Sequence, residues 1–115
     1  MSGGGKLTTH VLDTSRGMPA AGMQLRLLAF SAEGTEPRLA AEATTNGDGR
    51  VDRPLLSDGE LRAGVYELRF DVGGYFGDRA FLDIVPIRFV VTDPGKHYHV
   101  PLLVAPYGYS TYRGS

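Results

Sequence analysis

The sequence contains no cysteine. That excludes a disulfide framework, a cysteine-built zinc finger and a thiolate nucleophile. Nor is there an excess of charge: 12 basic against 13 acidic residues leave a net charge of −1. A dedicated nucleic-acid binder usually carries a basic surplus to neutralise phosphates, so no nucleic-acid partner is expected. Long hydrophobic runs are missing as well. The longest apolar stretch, Phe81 to Val91, is broken by Asp83, Pro86 and Arg88. It falls short of the roughly 20 residues a membrane helix needs, so no membrane span is expected. The opening MSGGGKLTTHVLD has no basic segment followed by an apolar one. Without a signal peptide of that form, the expected location is the cytoplasm. No internal repeat is visible.

What is present is turn chemistry. Sixteen glycines and seven prolines in 115 residues favour many short strands over long helices. Residues 1–6 read as a flexible lead-in, and residues 7–115 as one domain. Leu7, Thr9 and Val11 alternate with Thr8, His10 and Leu12, the period of a strand. Ser15 to Pro19 reads as a turn and Met23 to Phe30 as the next strand. Arg38 to Thr45 suits a helix or a strand equally, but Asn46-Gly47-Asp48-Gly49 is a strong turn signal. Gly64 to Val72 alternates again, and Tyr75 to Asp83 reads as one or two helical turns. Strands are expected at Ile87 to Thr92, His97 to Val104 and Tyr107 to Arg113. About seven short strands separated by frequent turns indicate an all-β two-sheet sandwich.

The chemistry-bearing residues are few. His97 and His99, two apart, share a strand face, and His10 lies on another strand. Strand histidines are commonly surface or satisfied side chains. Together the three also suit a metal site with an open position, which keeps a zinc or copper reading alive. Arg50 follows the tight turn and is either a solvated ion-pair residue or a presented cation. The Asn46-x-Asp48 spacing opens like a calcium loop, but Arg50 and Ser57 occupy ligand positions and exclude it. Gly73-Gly74-x-x-Gly77 lacks the βαβ frame of a phosphate loop. Ser110, Thr111 and Ser115 show no spacing that pairs a nucleophile with a base.

Four segments carry a family resemblance: Leu7-Thr8-Thr9-His10-Val11-Leu12-Asp13, Gly49-Arg50, His97-Tyr98-His99-Val100-Pro101-Leu102-Leu103 and Tyr112-Arg113-Gly114-Ser115. From Leu7 onward the chain resembles the transthyretin-related family, in its hydroxyisourate-hydrolase branch. The terminal Tyr-Arg-Gly-Ser is the specific element, since it separates the enzymes from the hormone carriers. The resemblance implies a transthyretin-like sandwich with one short helix, assembled as a homotetramer of paired dimers with sites at the subunit interface. It implies hydrolysis of the small molecule 5-hydroxyisourate in urate breakdown, with no cofactor and no metal. His10, Arg50 and His99 would then be catalytic, and Tyr112, Arg113, Gly114 and Ser115 substrate-binding or orienting. His97 would stand behind them. Pro101 sits awkwardly in a strand that the family places inside its sheet, so a bulge or an unpaired position is expected there.

Overall fold

The computed structural model describes residues 4–30 and 36–114. Eight strands and one short helix run in the order β1 (Leu7–Asp13), β2 (Met18–Pro19), β3 (Gln24–Ala29), β4 (Arg38–Thr44), β5 (Gly64–Asp71), α1 (Val72–Phe76), β6 (Ile84–Val91), β7 (Tyr98–Ala105) and β8 (Gly108–Thr111). They form two four-stranded sheets, β2-β1-β7-β8 and β4-β3-β5-β6. Alternation decides which way each strand faces. In β1 the residues Leu7, Thr9, Val11 and Asp13 are buried while Thr8, His10 and Leu12 lie on the outer face. Leu25, Leu27, Leu68, Phe70, Leu102 and Val104 complete the layer between the sheets. The burial of this apolar layer is the main stabilising term of the fold. No helix among the described residues is long and apolar enough to cross a membrane.

The all-β sandwich with one short helix is as expected, but several boundaries move. Arg38–Thr44 is a strand, paired with β3 through a register shift at Leu27/Leu28. Part of the segment read as a turn, Met18–Pro19, pairs with the end of β1. The helix occupies Val72–Phe76 rather than the stretch from Tyr75 to Asp83. Asp71 starts it by accepting the Gly74 N–H, and its first residue, Val72, is fully buried. Two glycines inside so short a helix hid it from propensity. β6 begins at Ile84, with Pro86 inside it. That proline is tolerated because β6 is an edge strand, with one side of its ladder unpaired. The tied part of the chain starts before Leu7: Gly5 is buried, and the Lys6 carbonyl accepts the Tyr98 N–H at 2.7 Å.

One pairing decides the rest. β1 and β7 are parallel, with Thr8 opposite His99 and His10 opposite Pro101, in unbroken register. The expected irregularity at Pro101 appears as an unpaired position on its other side. β8 pairs with β7 from Leu102↔Thr111 to Ala105↔Gly108, and the same register returns at His99↔Gly114. Between these points Tyr112 and Arg113 lie outside any strand. In an antiparallel ladder alternate residues exchange bonds. Since Gly114 N–H donates to His99 O at 2.8 Å, the next bonded position toward β8 is Pro101, which has no N–H to give.

Candidate active site

The outer face of β1 and β7 carries Thr8 and His10 beside His99, because the inward positions of both strands are committed to the core. Parallel pairing makes His10 and His99 diagonal neighbours. Thr9, between them in sequence, points inward and donates its hydroxyl to the Val100 carbonyl at 2.7 Å.

Arg50 is brought to the same face by the turn that begins at Asn46. The Asn46 side-chain oxygen accepts the N–H groups of Asp48 (2.9 Å) and Arg50 (3.2 Å), and the Asn46 N–H donates to Arg50 O at 2.7 Å. Gly49 adopts φ = 76° and lies so close to β1 that an added Cβ would overlap the Val11 carbonyl oxygen. Its own carbonyl accepts the Val11 N–H at 2.8 Å. The turn is thereby fastened along β1, with a backbone bridge between His10 and Arg50. Arg50 is exposed, and no carboxylate among the described residues pairs with it.

The two imidazoles are held differently. His10 Nε2–H donates to the Asp48 carbonyl at 2.9 Å; a carbonyl can only accept, so this nitrogen carries the proton. In the neutral ring Nδ1 is then the free base. His99 Nδ1 lies 2.8 Å from Thr8 Oγ1, a partner able to donate or accept. On its other side the ring meets Gly114, where an added Cβ would stand 2.5 Å from His99 Cδ2. Burial, then the positive Arg50 and then His10 hold the His99 pKa below its ordinary 6.5. His99 is accordingly a neutral imidazole at pH 7, in the form that accepts a proton.

The structure brings together His10, Arg50, His99 and Gly114. Tyr112 is exposed in the gap of the β8 ladder opposite Pro101 and lines the cleft between β8 and β6. Arg113 is not part of this group: its guanidinium stacks over the Tyr98 ring, 4.2 Å from the centroid, and Nη2 donates to the His97 carbonyl at 3.3 Å. His97 is exposed and takes part through that carbonyl. Ser115 lies outside the described residues. Among the described residues no three His, Asp or Glu side chains are placed to hold a metal ion. Three contributors escaped the sequence reading: Thr8, the Asp48 carbonyl and the Asn46 side chain. Alternation already put Thr8 on the face of His10. Only the β1–β7 register shows that it meets His99.

A family model described as the HIUase/Transthyretin family matches residues 7–114. The 5-hydroxyisourate hydrolase of Halalkalibacterium halodurans is 55% identical over 118 residues, covering 96% of this chain and 98% of that protein. The solved structure of Klebsiella pneumoniae 5-hydroxyisourate hydrolase superposes with a TM-score of 0.79 at 37% identity, over 96% of this chain and 99% of that one. Sea bream transthyretin in complex with thyroxine shares the fold at a TM-score of 0.86 and 26% identity, over 95% and 94% of the two chains. With the family model spanning both sheets and the His10–Arg50–His99 face, the chain belongs to the HIUase/Transthyretin family.

Proposed function

We propose that this chain is a 5-hydroxyisourate hydrolase that acts in urate degradation, with its sites formed where subunits of a homotetramer meet. The observation that carries this reading is the meeting of His10, Arg50 and His99 on one outer face, with both imidazoles fixed by hydrogen bonds. Relatives bearing that name at 55% and 51% identity support it.

The substrate is a strained bicyclic purine derivative whose six-membered ring opens at an amide-type carbonyl. A water oxygen attacks that carbon, and its proton passes to the histidine pair. The ring C–N bond then breaks, and the leaving nitrogen receives a proton back. With Nδ1–H donating to Thr8 Oγ1, His99 offers Nε2 as base; His10 offers Nδ1. Each imidazole thus presents a ring nitrogen able to take a proton on the same face, so both are assigned to water activation and proton return. Negative charge grows on the carbonyl oxygen. The Arg50 guanidinium, unpaired among the described residues, is the donor for it, a contribution of about 3 kcal/mol by analogy with oxyanion-hole donors. Tyr112, Gly114 and Ser115 border the substrate.

Stopped-flow absorbance of freshly generated 5-hydroxyisourate tests this, with and without chelator. The expected result is acceleration by the pure protein that survives chelation. His10→Asn, His99→Asn and Arg50→Gln should each fold and lose at least about a hundredfold in kcat/KM. A variant with a near-normal rate removes its residue from the catalytic set. The likeness to a thyroxine-binding transthyretin supports a second reading, a carrier. Stable binding without turnover would favour it.

A further inference from the structure

Arg113 and Gly114 are held where the β8 ladder does not hold them. Pairing lapses at Tyr112, opposite the donorless Pro101, and at Arg113, opposite Val100. One residue later Gly114 is packed against the His99 ring so closely that even a methyl group would not fit. A contact of that tolerance needs an anchor. Gly114 N–H to His99 O, at 2.8 Å, is a single exposed-end hydrogen bond.

Arg113 supplies a second anchor from the opposite face. Its place in the register is across from Val100, whose side chain points into the sandwich, so its own side chain leaves the tail away from His99. It runs over the buried Tyr98 and reaches the His97 carbonyl. Tyr98 is itself immobilised. Its hydroxyl accepts the N–H groups of Thr92 at 3.0 Å and Asp93 at 3.1 Å, on the segment between β6 and β7. A cation over an aromatic face is attracted by the ring quadrupole, an interaction comparable with the one ladder bond it supplements.

We propose that Arg113 is a positioning residue, which clamps the chain's end onto Tyr98 and the His97 carbonyl so that Gly114 seats the His99 ring, rather than a residue that touches substrate. The catalytic consequence rests on the hydrolase reading; the clamp itself does not.

The test uses the full chain with Arg113→Met, which keeps the aliphatic length, and Arg113→Lys, which keeps the charge. Arg113 is exposed, so neither change buries a misfit, and circular dichroism checks the fold of each variant. In substrate-free protein, Arg113→Met should raise Gly114 amide exchange at least about fivefold, as expected from the cation–π energy. It should also move the His99 ring signal, identified by its loss in His99→Asn. With substrate, kcat should fall about tenfold while KM changes less than about twofold, because a misplaced base slows chemistry without weakening binding. Arg113→Lys should recover part of each effect. Unchanged exchange and an unchanged His99 signal would overturn the clamp. A raised KM with kcat retained would return Arg113 to substrate contact, and altered exchange with normal kcat would overturn its role in positioning His99. If the wild-type protein shows no turnover, the hydrolase reading fails, while exchange and the ring signal still decide the clamp.

Discussion

His99 shows how much of a catalytic group is its neighbours. Thr8 holds one ring nitrogen and Gly114 the ring edge, while burial, Arg50 and His10 keep it neutral. Thr8→Val keeps the shape and deletes the hydroxyl. Steady-state kinetics should show kcat reduced about tenfold, with Thr8→Ser close to wild type; a normal rate in Thr8→Val would mean that the bond does not orient the base. The pH profile carries a second prediction. A histidine base must be neutral, and the His99 pKa is lowered from 6.5, so the acid limb of kcat/KM should fall below pH 6.5. Arg50→Gln removes the positive guanidinium beside His99, and the limb of its residual activity should move upward. A limb that stays in place would assign it to another group.

At the scale of elements, the turn from Asn46 to Arg50 and the end of β1 place the site. Gly49→Ala forces a side chain into left-handed backbone and onto the Val11 carbonyl. Urea denaturation should show a loss of at least about 2 kcal/mol, together with reduced turnover as Arg50 shifts. Asp13 closes the other end of β1. Its buried carboxylate accepts Ser15 N–H and Oγ–H, Arg16 N–H and the Tyr75 hydroxyl, tying the strand to α1. Burial alone would raise its pKa, but the bonds from Ser15, Tyr75 and Arg16 prevail and hold it below 3.8. A depressed carboxylate stabilises the fold above its unfolded pKa and loses that contribution as pH falls through the folded value. Asp13→Asn should therefore cost about 1–3 kcal/mol at pH 6–7, and the gap to wild type should close below about pH 4. A gap independent of pH would show that packing, not charge, sets the effect.

For the whole molecule, the open features lie on its outer surfaces. The edge strands β6 and β8 border one cleft, lined by Ile87, Phe89, Tyr98, Val100 and Tyr112. Val90, Tyr107 and Tyr112 are more than half exposed. Uncovered edges and apolar side chains favour association, in keeping with the homotetramer proposed above. Light scattering should report about four times 12.4 kDa. A fully active monomer would contradict sites built between subunits. A tag after Ser115 should depress activity far more than one before Met1, since Gly114 is packed against His99. Equal activity would show that this end tolerates extension.

Much of this was legible in the chain alone. Strand alternation put Thr8 and His10 on one face and Leu7 and Val11 in the core, because the period of two is set by local backbone geometry. Turn residues located the Asn46–Arg50 loop, and the segments around His10, Arg50, His99 and the C-terminal Tyr-Arg-Gly-Ser pointed to the family that the comparisons show. Short elements were blurred, since two glycines in α1 and a proline in β6 run against propensity and are stabilised by burial and an edge position. The parallel register of β1 and β7 was not local information. It joins residues about ninety apart in sequence, and it alone sets Thr8 on His99. The face on which Arg113 leaves the tail likewise follows from the pairing of Leu102 with Thr111 and His99 with Gly114. Composition and periodicity determined which residues could meet water or core; long-range pairing decided which of them meet each other.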